Sequence, residues 1–486
     1  MNEEIIQQLV VEMQELFTEG FREVIKAKDY AEFNKRYAEK GIKVLLEGLG
    51  KFYEYLDKYI KESQYRKEKG YIVKDNIKKN ILTCLGNITY KKTVYVDRNN
   101  KTRYLLDEYV GIKSNERMMD DARERIIEEV VESSYRKSGL RASILDSVHK
   151  QTVKNEVMKI EIPKEVIGKR EKKEVEVLYI EADEDHVALQ DKFKKRKKEQ
   201  RNTIIDKLVY CFEGKELEAP KSKRKRLINP YYFAGVYRGN KGNQKLWEEV
   251  YDYIDKTYDI DKIKKIYISG DGASWIREGV QYFKNAIFIM DEFHIMKYTK
   301  MATSILKDSQ GDGISEIYRA LRKNDRTSID TIFGQIYSIC KTDSEKENID
   351  SCYRYFINNF ESICLRMRKN EEILGCSAEG HVSHILSNRL SSRPMGWSIK
   401  GCDNISKLIA YYHNGGKIKE LFSRRRKRTL NYEIINIKEV QKQCVNKTKK
   451  EIIKKTQNKD LNKYYDIYQS ELTLQGKKLL KMGLFK

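Results

Sequence analysis

The order of strand-like and helix-like segments between residues 174 and 291 restricts the fold of this chain more than any other feature. Strand-like runs rich in β-branched and aromatic residues cover Glu174–Asp183, Asn202–Gly214, Tyr231–Gly239, Lys262–Gly270 and Ala286–Asp291. The first three follow one another without a helical pattern between them. Amphipathic helical patterns begin near Asn243 and Ser274, on either side of the fourth run. The resulting order is β-β-β-α-β-α-β.

This order predicts an α/β domain of the ribonuclease-H-like type, because a meander of three strands is followed by two crossover units. The regular alternation of a Rossmann fold is not seen. No G-x-G-x-x-G opens a helix after a strand, and G-x-x-x-x-G-K-[ST] does not occur, so the sequence does not support a nucleotide cofactor. Helical, charged sequence from Phe293 to about Asn370 predicts an all-α insertion in this domain.

The remaining sequence predicts further regions around that core. An alternating pattern on both sides of Arg98–Asn100 predicts a β-hairpin, and a turn around Asp146-Ser147 between two short helical patterns resembles a helix-turn-helix. Plain helical packing is the alternative for the second of these. We expect an N-terminal helical region 1–75, a β-hairpin region 76–117, a helix-turn-helix-like DNA-binding region 118–170, a first segment of the core 171–300, the helical insertion 301–370, a second segment of the core with a catalytic Glu 371–420, and a basic tail 421–486.

The charge of the chain indicates a polyanionic partner. It has 96 Lys and Arg against 73 Asp and Glu, a formal net charge of +23. Solvated loops and a lysine-rich surface are the alternative for the basic runs, and core packing is the alternative for Trp397. The candidate DNA-binding residues are Lys150, Gln151, Lys154 and Asn155 of the recognition helix, with Lys194, Lys195, Arg196, Arg224, Arg226, Arg393, Trp397, Arg424, Arg425 and Arg426.

The N-terminal sequence indicates a cytoplasmic protein. It is acidic and amphipathic and does not read as a signal peptide. No apolar stretch approaches the length that a membrane-spanning helix needs, so we expect no membrane partner.

Carboxylates stand at the ends of the first and fourth strand-like runs. Glu181, Asp183 and Asp185 alternate along the first run and therefore share one face, so alternation alone does not choose among them. Asp271 ends the fourth run between two glycines. These two strands are neighbours in the predicted fold, and paired carboxylates are hard oxygen ligands that suit Mg²⁺ or Mn²⁺. The alternative for Asp271 is a cap on the helix that begins near Ser274.

A third acid is expected from a later helix. Glu379 is the best candidate, because it begins a helical segment rich in functional residue types, CSAEGHVSHILSNRLSSRPMGWS. His381 and His384 raise a zinc alternative, but H-E-x-x-H is absent and no third nitrogen or sulfur ligand has a standard spacing. His294 in MDEFH is either a packed core histidine or a hydrogen-bond partner of an acid.

The segments YIEADEDHVALQ, YISGDGASWI, MDEFH and SAEGHVSHILSNRLSSRPMGWS resemble insertion-sequence transposases of the ISLre-two type, relatives of the Mutator-like DDE transposases. The resemblance extends from the N-terminal helices to about residue 415. It implies a ribonuclease-H-like core with a helical insertion before the last acid. The catalytic, metal-binding residues it implies are Asp183, Asp271 and Glu379, with Asp291, His294, His381 and Arg389 as auxiliary candidates.

The activity that this resemblance implies is DNA transposition. Two Mg²⁺ or Mn²⁺ ions held by the three acids would support hydrolysis at transposon ends, followed by attack of the freed 3′-hydroxyl on target DNA. The expected partners are transposon-end DNA, target DNA and further copies of the chain, as a dimer or higher oligomer assembled on DNA. The alternatives are a non-catalytic DNA-binding regulator derived from a transposase and a structure-selective nuclease of the same fold.

Overall fold

The computed structural model describes residues 3–27, 29–113, 115–163, 171–190, 202–368 and 371–426. The chain divides between Met119 and Asp120 into two compact units. None of the described helices is both long and apolar enough to cross a membrane.

The first unit contains helices packed with a small antiparallel sheet, in the strand order β1-β2-β3. Its elements are α1 Glu3–Lys26, α2 Tyr30–Glu62, α3 Gln64–Glu68, β1 Ile72–Leu82, β2 Asn87–Val96, β3 Thr102–Arg103 and α4 Leu105–Val110. The predicted β-hairpin is only partly correct, because the main partner of β2 is β1 and β3 has two residues. The second predicted strand becomes α4, which buries Leu105 and Leu106 and ends at Gly111 with a φ of 74°.

The second unit begins with α5 Asp120–Glu132, α6 Tyr135–Leu140 and α7 Lys150–Lys159. The predicted helix-turn-helix is corrected here. Residues 141–149, between α6 and α7, are not helical, whereas a helix-turn-helix has a turn of three or four residues. The buried face of α7 carries Val153 and Val157, so packing against the unit determines the position of this helix.

A five-stranded mixed sheet forms the centre of the second unit. Its strands and the intervening hairpin are β4 Val177–Ala188, β5 Thr203–Phe212, β6 Gly214–Leu217, β7 Lys225–Ile228, β8 Tyr231–Gly235, β9 Lys265–Gly270 and β10 Ala286–Met290. The sheet order is β10-β9-β4-β5-β8. Strands β4, β9 and β10 are parallel to one another, whereas β4, β5 and β8 are antiparallel neighbours. Together with α8 Gly239–Thr257 and α9 Ser274–Arg277, these strands follow the predicted order, and the β6–β7 hairpin is an addition to it.

The two faces of β4 differ in chemistry. Leu178, Ile180 and Ala182 are fully buried in the core that also holds Trp247 of α8 and Ile268 of β9. Because side chains alternate along a strand, the intervening residues of β4 project to the opposite face. That face carries the carboxylates.

The predicted all-α insertion is present after β10. It consists of α10 Glu292–Thr303, α11 Gln310–Arg322, α12 Arg326–Ser338, α13 Asp343–Asn358 and α14 Phe360–Met367. These helices have a core of their own, which includes Leu321, Phe333 and Phe356. The chain continues with α15 Ala378–His381, a π-helical turn Val382–Ser387, α16 Asn388–Leu390, α17 Ile399–His413 and α18 Ile418–Arg426, and short 3₁₀ turns cover Ile260–Lys262, Glu278–Tyr282 and Ser304–Ser309.

Candidate active site

Asp183 and Asp271 leave two neighbouring strands at the same edge of the sheet. Strands β4 and β9 pair in parallel as far as Glu181 and Ser269. A Cβ on Gly270 would stand 2.8 Å from the carbonyl oxygen of Ala182, so only glycine lets the two backbones approach this closely. The residues that follow Ala182 and Gly270 are the two aspartates.

Asp271 makes the local hydrogen bond that a helix cap requires. Its Oδ1 accepts from the backbone N–H of Ala273 at 2.9 Å, directly before α9. Gly272 has a φ of +94°, a conformation that a residue with a side chain rarely adopts. A carboxylate has about four acceptor sites on two oxygens, so this bond does not exclude a further ligand. The capping and the metal-binding interpretations of Asp271 are therefore compatible.

Glu181 fixes the segment that carries Glu379. Its Oε2 accepts from the backbone N–H of Ser377 at 2.7 Å and from the Ser377 hydroxyl at 2.9 Å. Its Oε1 accepts from Nζ of Lys215 at 3.0 Å, and Lys215 also donates to the carbonyl of Gly375. The carboxylate of Glu181 is thus used as an anchor, and α15 begins one residue after Ser377 with Glu379 exposed.

The charges of Glu379 and Asp271 both act on Asp183, which is 7% exposed. Burial raises the pKa of Asp183 to about 7; the charges of Glu379 and Asp271 act in the same direction, against the backbone N–H of Glu184 and the imidazole of His294. The structure therefore brings the three predicted acids together, although they come from separate parts of the sequence.

Asp291 and His294 border the same acids. Asp291 caps α10 by accepting from the N–H of Phe293 at 3.2 Å, and its other oxygen is 3.1 Å from Nδ1 of His294. Burial lowers the pKa of His294, but the hydrogen bond and charge of Asp291, with the charges of Asp271 and Asp183, raise it overall. These contacts hold the ring so that Nε2 is the nitrogen left for other partners.

Asp185 belongs to a different cluster, although it shares a face of β4 with Asp183. Its Oδ1 accepts from the hydroxyl of Ser391 at 2.9 Å, and it lies opposite Asp206 of β5. Burial raises the pKa of Asp206 to about 8; the hydroxyl of Ser406 opposes the shift and the charge of Asp185 adds to it. Of the three alternating acids, Asp183 is the one on which Asp271 and Glu379 act.

His381 and Arg389 have other surroundings than the predicted auxiliary role requires. The His381 ring lies 4.5 Å from the Tyr210 ring, with Nδ1 3.2 Å from the Tyr210 hydroxyl, and burial lowers its pKa. It therefore packs in the cluster around Glu181. Arg389 donates from Nε to the carbonyl of Val130 at 2.8 Å, in a different part of the second unit.

Some predicted DNA-binding residues share one open cavity of about 800 Å³. Lys150, Gln151 and Lys154 of α7 line it together with Arg389 and Trp397. Trp397 is 6% exposed and donates from Nε1 to the carbonyl of Leu390 at 2.9 Å, so core packing is the observed role of this ring.

Asn155 is engaged along its own helix. Its Oδ1 accepts from Nε2 of Gln151, one turn earlier in α7, at 3.0 Å. The contact is exposed, and Asn155 is not among the described residues that line the cavity.

The other predicted DNA-binding residues are scattered. Arg393 is exposed, and Arg224 and Arg226 are exposed on the β6–β7 hairpin, where Arg226 pairs with Glu216 at 2.7 Å. Lys194, Lys195 and Arg196 lie outside the described residues. Arg424, Arg425 and Arg426 fall at the end of α18, where the structure does not describe the side chains.

Arg366 is a residue of the site that no sequence motif indicated. It is buried in α14 and donates from Nε to the carbonyl of Met290 at 2.8 Å and from Nη2 to the hydroxyl of Ser269 at 3.2 Å. Its Nη1 donates to the carbonyl of Leu374. One guanidinium thus joins the ends of β9 and β10 to the segment before Glu379. Its spacing of three residues from buried Ile363 is a sequence signal that could have shown it.

The donor set of Asp183, Asp271 and Glu379 fits a hard divalent cation, because all its ligands are carboxylate oxygens and their charges repel. Within the described ranges, no three His, Cys, Asp or Glu side chains already stand as the ligands of a bound ion do. One oxygen of Asp271 is turned to the backbone before α9 instead. The metal ions therefore stay a prediction.

Comparisons with known proteins give the following similarities. Residues 4–427 match the family described as Uncharacterised protein family (UPF0236). A UPF0236 protein of Caldanaerobacter subterraneus subsp. tengcongensis is 37% identical over 424 residues, 86% of this chain and 85% of the relative, and its name joins eleven loci. Another from that organism is 36% identical with the same coverage, and its name joins four loci. A solved structure, the Drosophila P element transposase strand transfer complex, is 9% identical over 65% of this chain and 82% of that chain, with a TM-score of 0.21.

Proposed function

We propose that this chain, which belongs to the uncharacterised protein family UPF0236, is a DDE transposase that cuts DNA at the ends of a mobile element and joins them to target DNA. The observation that carries this proposal is the convergence of Asp183, Asp271 and Glu379 at one sheet edge. The strand order of the mixed sheet supports a ribonuclease-H-like core. Joining two ends requires both to be held at once, so we include a dimer or higher oligomer on DNA in the proposal.

The relatives supply independent support. A protein whose name joins eleven loci of one organism is encoded many times in that genome. Many copies are the expected product of an element that moves by its own transposase. A second relative with four loci shows the same multiplicity.

In this mechanism Asp183, Asp271 and Glu379 would hold the divalent ions. When bound, such ions neutralise the charge of the scissile phosphate and lower the pKa of the attacking water. The remaining residues act on position and protons. Glu181 fixes the start of the helix that carries Glu379, and Asp291 orients His294 so that its Nε2 can exchange a proton with a phosphate or hydroxyl oxygen.

The ligand role separates Asp183 from Asp185 experimentally. We expect Mn²⁺ or Mg²⁺ to raise the melting temperature of the wild-type protein, because an ion that binds only the folded state stabilises it. Asp183→Asn should remove this response. Asp185→Asn should keep it, because that side chain faces Ser391 and Asp206 instead. Equal loss of the metal response in both variants, measured by differential scanning fluorimetry, would contradict the assignment of Asp183 as the ligand.

Asp183 also has an expected pH dependence without metal. Its pKa is raised from the ordinary value of 3.8 to about 7, so the stability associated with its protonated form is present at low pH and is lost as pH rises through about 7. Asn has no such loss. The melting temperature of Asp183→Asn relative to wild type should therefore increase from about pH 4 to about pH 7 and level off above that. A difference between the two proteins that is constant over this range would contradict the raised pKa.

DNA binding should depend strongly on salt. The net charge of +23 implies that many phosphates are neutralised, and each steepens the slope of log K against log salt by about 0.9 on duplex DNA. We expect affinity for duplex DNA, measured by fluorescence anisotropy, to fall by at least about a hundredfold between about 50 and 200 mM salt. An affinity that stays nearly constant over this range would exclude DNA as the polyanionic partner.

A further inference from the structure

Arg389 carries a buried charge for which the described residues supply no counter-ion. The side chain is 5% exposed, and Nε donates to the carbonyl of Val130. In the described part of the chain, both Nη1 and Nη2 are buried without a hydrogen-bond partner. The rings of Tyr135 and Trp397 flank the guanidinium, with centroids 5.7 and 4.8 Å from its central carbon. A buried guanidinium with unpartnered N–H groups is costly unless an anion completes it.

The cavity of about 800 Å³ that Arg389 lines provides space for such an anion. None of the described residues that line it is acidic, whereas Arg136, Lys150 and Lys154 line it in addition to Arg389. The hydroxyl of Tyr135, another lining residue, is also buried without a partner among the described residues. The lining thus offers several donors and positive charges around an open volume, which is the chemistry that recognises phosphate oxygens.

The cavity is connected to the acids through two elements. Gln190, which lies just beyond the end of β4, lines the cavity, and Asp183 lies on the same strand. Arg389 follows Glu379 by ten residues through α15, the π-helical turn and α16. Distances along a strand and a helix of these lengths are on the order of 20 Å or less. A DNA strand of a few nucleotides spans that distance.

We propose that this cavity binds one nucleotide of a DNA strand, with its phosphate held by the free Nη1 and Nη2 groups of Arg389 and the hydroxyl of Tyr135. The identification of the strand as DNA rests on the proposed function. Phosphate is favoured over a peptide carboxylate because the surrounding cations, Arg136, Lys150 and Lys154, match a diester that continues as a charged chain on both sides. The volume also exceeds that of a single phosphate and leaves room for a sugar and base.

The test uses the full-length chain and a short single-stranded oligonucleotide, oligo-dT, in fluorescence anisotropy at fixed salt. Arg389→Met keeps the length of the side chain and removes its donors. We expect it to weaken oligo-dT binding by about tenfold or more, the effect of losing charge-assisted hydrogen bonds. The control Arg319→Gln removes an exposed arginine that pairs with Glu316 in the helical insertion, and it should bind within about twofold of wild type. Wild-type affinity in Arg389→Met would overturn the proposal.

Two further arms identify the ligand. Oligo-dT with a neutral methylphosphonate backbone should bind wild type and Arg389→Met equally, because the phosphate charge is absent. Inorganic phosphate is tested by its effect on the melting temperature, against chloride at equal ionic strength. An Arg389-dependent shift with phosphate but an Arg389-independent affinity for oligo-dT would overturn the proposal in favour of a free anion. If Arg389→Met does not fold, Tyr135→Phe and Lys154→Gln replace it, and wild-type affinity in both would equally overturn it.

The cavity and the catalytic proposal fail separately. Asp271→Asn should bind oligo-dT as wild type does, because Asp271 is not among the described residues that line the cavity. Arg389-dependent binding in a protein that never cuts DNA would leave the cavity standing and refute the transposase. Cleavage with Arg389-independent binding would refute the cavity alone.

Discussion

The Asp271→Asn and Glu379→Gln variants are expected to lose DNA cleavage by at least about two to three orders of magnitude while their affinity for DNA stays unchanged. Each amide keeps the size of the side chain but removes the negative charge that a divalent ligand site needs. Asp271→Asn also keeps an oxygen that can accept from the N–H of Ala273, so the turn before α9 is preserved. The measurement is the rate of cleavage of element-end DNA in Mg²⁺, with anisotropy as the binding assay.

The matched control for these variants is Asp312→Asn. Asp312 is an exposed acid in the first turn of α11, so its replacement should leave cleavage within about twofold of wild type. Full cleavage by Asp271→Asn would show that Asp271 serves only as a cap for α9. A parallel loss of cleavage and DNA binding would show a folding defect and not the removal of a ligand.

Replacement of Arg366 by Met is expected to destabilise the second unit by about 3 kcal/mol or more, because it leaves buried acceptors without their donor. Those acceptors are the carbonyls of Met290 and Leu374 and the hydroxyl of Ser269. Cleavage should fall as well, since the segment before Glu379 loses its link to the ends of β9 and β10. The free energy of unfolding is measured by urea denaturation, and cleavage is measured well below the unfolding transition.

Two comparisons distinguish this linking role from a general effect of charge. Arg366→Lys keeps the charge but not the planar fork that reaches all three acceptors, so its stability should lie between those of wild type and Arg366→Met. Arg319→Gln removes an exposed ion pair and should change stability by less than about 1 kcal/mol. A stability of Arg366→Met close to that of wild type would show that these three hydrogen bonds do not hold the segment in place.

The order of elements in the core could be predicted from the sequence because each strand is a long apolar run with clear boundaries. The convergence of Asp183 and Asp271 followed from that order, since neighbouring parallel strands end at one edge. The choice between Asp183 and Asp185 could not be predicted, because alternation gives both the same face. Only the packing of Ser391 and Asp206 against Asp185 separates them.

Other features depend on contacts between residues that are far apart in sequence. The β6–β7 hairpin was not predicted because the basic run Lys221–Arg226 has the composition of a solvated loop, yet it reaches into the second strand of the hairpin. The anchoring role of Glu181 depends on Ser377, which lies 196 residues further along the chain. No local pattern reports such a contact. The incorrect helix-turn-helix prediction has the same cause, since the position of α7 is determined by packing within the second unit.

The most direct test of the proposed function is a strand-transfer assay with the purified full-length protein, Mg²⁺ and DNA that carries the two ends of the element from its own genomic flanks. We predict cuts that leave 3′-hydroxyl groups at the element ends, followed by joining of those ends to a target plasmid. Binding of the ends without any cut would contradict the proposal and indicate a regulator. Cleavage of branched DNA without joining would contradict it in favour of a structure-selective nuclease.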